Sequence, residues 1–478
     1  MDTINLLLKE IKSSEVNISL DLAYYLGELL FKNELSFFDS TSIEEVLMNK
    51  IINNSDLKLN VSDYRNDFLF IVSTPYLTGG HTRLMENLSL MIDDKKDLLI
   101  TKSSSIATKQ RLQTFFPDIS ECYRDKKESP IDFINKLVKK ISKYNSIILN
   151  IHPQDIYTVI ACKIAKTINT KQKIYFVNHA DHAFNFGSSV ADFWFEVSLY
   201  GRNIDKLKNI NGKRSFLGIP INKPKHDFFK TVEYQKLKHV KYFISAASHL
   251  KFKPNNGSSI FPLINSILEK SDAKIEIIGA KALKDYWWWP LKLRSLDRLT
   301  LHKSLPYEEY INVSSKTDYY IDSHPVPGGT AFVEQFMQGK PCIGLKSSFF
   351  GYTPLEKLKR STVAEVIEML ENPPKKEEIE EIQSLIFDVH GFTQVKKRFL
   401  GAINHDIVSV NPMSSHIDYQ EYVTRNKNRI LLSNDFLSYL YSFKKKLYLQ
   451  IIISANPFLL LKLPLSRVFH AIKTKLKR

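Results

Sequence analysis

Gly328-Gly329-Thr330, with Glu334 one helical turn further on, is the group in this sequence best suited to seat a phosphate. Two glycines ahead of a helix let an anion approach the backbone, and the free amides and dipole of the first turn favour negative charge. Thr330 is expected to cap that helix through its hydroxyl. A carboxylate so near an anion seat suits a sugar hydroxyl better than the phosphate itself, which is the expected role of Glu334. His249, Lys251 and Lys253 follow a strand-like run. An ammonium group there can neutralise charge developing on a diphosphate leaving group, or it can simply be solvated.

Two further groups carry imidazoles. Gly79-Gly80-His81-Thr82-Arg83 follows the apolar run FLFIVST. Its glycines form an acceptor or phosphate loop, and His81 can donate to a phosphate or take a proton. No G-x-G-x-x-G is present, so this is not a dinucleotide fingerprint. Asn178-His179-Ala180-Asp181-His182 ends the run KIYFV. Imidazole titrates near neutral pH and can deprotonate a sugar hydroxyl, with a carboxylate beside it as orienter. His81, Asp181 and His182 are the base candidates, and His179 joins Gly79 and Gly80 on the loop side. Two His and one Asp within one loop make a poor metal set, so no metal is expected. Trp287-Trp288-Trp289 cannot all face one side of an element, and packing is the expected use. His302, Lys303 and Ser304 end another strand-like run and are candidates for a nucleobase contact.

The elements that must position these groups alternate in type. Asp318 to Ser323 reads as a strand, Ala331 to Gln338 as a helix stopped by Gly339 and Pro341, and Pro341 to Leu345 as the next strand. The runs FLFIVST, DLLITK, SIILNI and KIYFVNH alternate with helical stretches, and a second such series starts at VKYFISAAS. That spacing predicts parallel α/β sheets. The expected organisation is a helical extension over 1–65, a first Rossmann-like domain over 66–222, and a second over 239–400. The lysine-rich 222–238 reads as a linker, and 401–478 as a helical, basic, membrane-proximal segment.

The chain has 478 residues and a formal net charge of +16. Nine of those charges lie between Tyr441 and Arg478, where no acid occurs. A basic, aliphatic tail on a mildly basic body argues against a duplex-binding groove, and nucleic acid is not an expected partner. The tail suits an interfacial segment on anionic lipid, or a terminal helix pair packed on the body. Cys122, Cys162 and Cys342 are too scattered for a metal or disulfide framework, which points to a reducing compartment. Neither a signal peptide nor a membrane span is expected.

With both glycine loops and the lysine site together, residues 68 to 400 resemble glycosyltransferases of the GT-B fold. The likeness is strongest over 322–345. Gly328-Gly329-Thr330, Glu334 and Gly339-Lys340-Pro341 look like the donor element in which amides and a threonine hold a diphosphate and an acid holds the ribose. Lys251 or Lys253 matches the phosphate-binding lysine, and Gly79-Gly80-His81 the glycine loop of the first domain. The glycine-threonine turn is similar to that of the O-GlcNAc-transferase-like group, whose tetratricopeptide repeats are absent. Val326, between Pro325 and Pro327, stands where retaining enzymes with a glutamate pair carry a second acid. The resemblance implies two Rossmann-like domains facing across a cleft and transfer from a nucleotide sugar to a glycan or lipid-linked acceptor without metal or cofactor. It implies a cytoplasmic enzyme of surface polysaccharide synthesis, held at the inner membrane face by its tail. Protein glycosylation, nucleotide-sugar epimerisation and donor binding without catalysis are the rival expectations.

Overall fold

The computed structural model describes residues 2–33, 35–54, 64–77, 80–255, 257–281, 283–415 and 430–455. Two parallel sheets organise them. The first joins β1 (Arg65–Val72), β2 (Lys96–Ile100), β3 (Asp118–Glu121), β4 (Tyr144–Asn150), β5 (Lys173–Val177), β6 (Phe193–Glu196) and β7 (Lys213–Phe216) in the order β3-β2-β1-β4-β5-β6-β7. The second joins β8 (Tyr242–Ala246), β9 (Lys274–Ile278), β10 (Leu299–His302), β11 (Tyr319–Ile321), β12 (Cys342–Leu345) and β13 (Lys359–Arg360) in the order β10-β9-β8-β11-β12-β13. In both, strand order reverses beside the first strand, between β1 and β4 and between β8 and β11. Loops leaving the carboxyl ends of such strands turn to opposite sides and open a crevice for ligands. Central strands read as unbroken apolar runs, Phe68–Val72 for example, because helices cover both faces.

Chain packing divides the molecule into two units, one of Met1–Phe195, Asn203–Arg214 and Glu421–Arg478, the other of Glu196–Arg202 and Ser215–Gln420. Residues 222–238, expected as a linker, form two short 3₁₀ turns of the second unit, because Phe228 and Leu237 are apolar enough to be buried in its cores.

In the first unit, α1 (Asp2–Ser13), α2 (Val16–Asn33) and α3 (Thr41–Asn54) present Leu7, Ile11, Leu20, Leu26 and Leu47 at helical spacing to the core beside the sheet. The C-terminal stretch is not a single segment. Ser409 accepts from the Phe216 amide (2.9 Å) and donates its own amide to the Ser215 hydroxyl (3.0 Å), both in the second unit. The helices Asn434–Phe443 and Lys445–Ala455 bury Phe436, Leu440, Leu447, Ile451 and Ile452 in the core of the first. Polar links fix that register: Asn33 exchanges two hydrogen bonds with Leu431 (3.0 and 2.7 Å), and Lys444 Nζ lies 2.6 Å from Glu10. The described part of the basic tail is therefore packed protein. Residues 456–478, with six of its nine basic side chains, lie outside the described residues. No helix among the described residues is long and apolar enough to cross a membrane.

Candidate functional site

The glycine turn of the second unit is braced by an acid. Asp322, at the carboxyl end of β11, accepts from the amides of Ser323 (2.9 Å) and Gly328 (2.7 Å) through Oδ1. Its Oδ2 pairs with Lys359 Nζ at 2.7 Å, both side chains being almost wholly buried. Ser323 Oγ donates to Val326 O (2.8 Å), Ser347 Oγ to Pro325 O (2.6 Å) and Lys251 Nζ to Pro327 O (2.7 Å). The turn contains a cis His324–Pro325 bond. Gly328 is required because a Cβ there would stand 2.6 Å from Asp322 Oδ1. At Gly329 a Cβ would meet nothing within 4 Å, so space does not select glycine; its φ of +58° does.

The helix that follows is Thr330–Met337. Gly329 is its N-cap residue and Thr330 its first helical residue, so the expected hydroxyl cap does not form: no side chain caps this end. First-turn amides are left for an anion beside an open glycine. Lys251 leaves the 3₁₀ turn after β8, the strand next to β11, and is half-buried. Burial lowers its pKa most, Lys359 adds to that, and Asp322 opposes it. Lys253 is exposed, so Lys251 is the lysine tied to the turn. His324 is held neutral, its pKa pushed down to about 4 by burial and then Lys359, and its Nδ1 is buried without a partner. Glu334, half-buried, lines a small depression of about 80 Å³ with Lys223, Asp227, Lys230 and Met337. Lys340 is structural, bonding to Ser314 O (2.7 Å) and to both oxygens of Thr317.

The first unit brings imidazoles to the ends of adjacent strands. His81 heads the helix α4 (Gly80–Ser89) after β1, with Nε2 3.0 Å from Thr74 O. A carbonyl only accepts, so Nε2 carries the proton and Nδ1 is left as the basic nitrogen. The His81 ring stacks on His179, after β5, at 5.3 Å and 25°, and Tyr76 meets it edge-on. Asn150, ending β4, donates to His81 O at 2.9 Å. Burial pushes His179 down to about 3 and His152, just past β4, to about 4; His81 is lowered for the same reason.

Of the other candidates of that unit, His182 stands near enough to His179 to lower its pKa further, and Phe31 meets both His182 and His152. Asp181 is completely buried, and His182 is half-buried near Phe31. Asn178 belongs to a buried network with Asp205, Lys208 and Trp194. Gly80 is exposed, and Gly79 lies outside the described residues. In the second unit Trp288 packs on Phe252 and Phe261 in the core while Trp289 is exposed, and His302 pairs with Glu276 at 2.5 Å. No group of three or more His, Cys, Asp or Glu among the described residues is arranged to hold a metal. Asp322, Lys359, His324 and His152 are the residues that sequence reasoning missed. Asp322 was legible as the acid ending a strand; Lys359 becomes its partner only through β12–β13 pairing.

Solved structures with this architecture include one determined with UDP and glucose and one of a galactosyltransferase. Anabaena Alr3699/HepE, solved with UDP and glucose, superposes with a TM-score of 0.50 at 12% identity, over 71% of this chain and 99% of that one. The lipopolysaccharide outer core galactosyltransferase WaaB superposes with a TM-score of 0.50 at 13% identity, over 71% of this chain and all of that one. No family model and no curated protein matches the sequence. The chain has the GT-B type of fold, α/β throughout, with parallel sheets of seven and six strands.

Proposed function

We propose that the chain is a glycosyltransferase that moves a sugar from a nucleoside-diphosphate sugar to a glycan or lipid-linked acceptor. The observation that carries this reading is the Asp322-braced turn: an open, uncapped helix N-terminus with a half-buried lysine tied to it, at the switch point of the second sheet. The first-turn amides and Lys251 hold the diphosphate, and Glu334 holds the ribose. The acceptor hydroxyl attacks the anomeric carbon, and the bond from that carbon to the diphosphate oxygen breaks. The hydroxyl proton passes to Nδ1 of His81, preferred over Asp181, which is fully buried, and His182. Amide dipoles and Lys251 stabilise charge as it develops on the leaving oxygen.

The acceptor class of this proposal is the growing chain of a surface polysaccharide, and the cytoplasmic enzyme meets it at an anionic membrane through residues 456–478. Vesicle co-sedimentation of the full chain and of a truncation after Ala455 tests the second point. Equal binding of both would contradict it.

UDP-glucose, UDP-galactose and UDP-N-acetylglucosamine, each incubated with a panel of lipid-linked and free oligosaccharides, test the activity. Release of UDP coupled to acceptor extension is expected for at least one pair. Isomerised nucleotide sugar formed without acceptor would replace this reading by an epimerase, and modified peptide by a protein transferase.

A further inference from the structure

A pocket of about 530 Å³ lies within the first unit, at the carboxyl ends of β1, β2 and β4. Its volume is that of a small-ligand site. The floor is made by strand-end residues, among them Ser73, Lys102 and His152. The walls come from outside the sheet: Tyr24 and Tyr25 of α2, and Tyr439 and Phe443 of the Asn434–Phe443 helix. Both ends of the chain are thus needed to close it.

Its formal charges balance. Asp21, Asp125 and Asp155 are matched by Lys102, Arg124 and Lys126. Arg124 Nη1 is already engaged, 2.5 Å from Asp21 Oδ1 and 2.9 Å from the Tyr157 hydroxyl. Asp155 Oδ2 is taken by the hydroxyls of Ser73 (2.5 Å) and Thr101 (2.9 Å), and His152 is neutral. What remains is a neutral site of aromatic rings with polar edges. Tyr24 stacks on Tyr157 at 5.4 Å, Tyr25 meets Tyr439 at 5.1 Å, and Tyr439 meets Phe443 at 5.0 Å. The Tyr24 hydroxyl is fixed by Lys102 Nζ at 2.8 Å. Rings of this kind pack against an apolar surface while their hydroxyls stay wet, and a sugar offers both an apolar C–H face and a rim of hydroxyls.

We propose that this pocket binds a neutral saccharide, the sugar of the acceptor. The acceptor role rests on the glycosyltransferase reading; saccharide binding does not. His152 belongs both to the pocket and to the imidazole group, so the bound sugar lies beside the strand ends that carry His81. The terminal helices then form a recognition element for the acceptor.

Saturation-transfer NMR on the full chain with maltose, lactose, cellobiose and chitobiose tests this. At least one disaccharide is expected to receive saturation from aromatic protons. Its affinity should fall about fivefold or more in Tyr439→Ala and recover in Tyr439→Phe. Circular dichroism separates loss of fold from loss of contact, and Lys171→Met, exposed and outside the pocket, should leave affinity within about twofold. Failure of every disaccharide to bind, equal affinity in Tyr439→Ala, or displacement of the disaccharide by inorganic phosphate would overturn the proposal. UDP binding is measured in the same samples. Saccharide binding without UDP binding would refute the transferase reading while leaving the pocket a saccharide site.

Discussion

The two switch points share a topology and differ in electrostatics. Between β8 and β11 the turn is built on buried charge: Asp322 and Lys359 at 2.7 Å, with Lys251 tied to Pro327. Around the first sheet's switch point, at the ends of β1, β4 and β5, the groups are neutral imidazoles, all lowered in pKa by burial. The difference teaches what each place can do. A rigid, amide-lined turn beside lysine suits a diphosphate, whose charge needs donors that do not reorganise. A desolvated stack of neutral rings suits proton transfer, because a base must be unprotonated before it acts.

Substitutions that should separate the two regions run from turnover to stability. His81→Gln should lower turnover about 10²- to 10⁴-fold while UDP affinity stays constant, the range for loss of a general base. A fall in UDP affinity as large as that in turnover would erase the division of labour. Asp322→Ala leaves Lys359 buried without a partner and the Gly328 amide unpaired. It should cost about 3–5 kcal/mol in urea unfolding, and a loss below about 1 kcal/mol would show that the turn does not depend on this acid. Gly328→Ala, forced against Asp322 Oδ1, should cost about 1–3 kcal/mol and weaken UDP binding. An unchanged urea midpoint would mean that the turn relaxes around a methyl group.

The smallest effect expected is that of pH. His152 and His324 titrate near 4 in the folded chain, below the ordinary histidine value. The unfolded chain binds protons first as pH falls, so stability is fully present above about 6.5 and declines between there and about 4. Thermal midpoints that stay level across this window would contradict the neutral-imidazole description.

Much of the second site was legible in the sequence. Scarce glycines placed as a pair between a strand and a helix give the turn, and alternating apolar runs give the sheets. The cap at Thr330 was misread because Gly329 takes a φ of +58° and becomes the N-cap itself, a matter of backbone angle that composition does not carry. Lys359 was invisible because it lies 37 residues beyond Asp322 and meets it only through β12–β13 pairing. In the first site the sequence shows His81 and His179 as separate loops; stacking needs β1, β4 and β5 side by side. In the tail, charge and apolar face separate along the chain. Its apolar face, Phe436, Leu440, Ile451 and Ile452, is packed against the body in the described residues, whereas the most basic part lies beyond them.

Calorimetric titration of UDP into the full chain and into Lys251→Met tests the donor turn most directly. Saturable one-to-one binding is expected in the wild type, weakened about 10- to 100-fold in the variant, the range for a charge-assisted hydrogen bond. Absence of binding in the wild type, or equal affinity in Lys251→Met, would contradict the assignment of this turn to a nucleoside diphosphate.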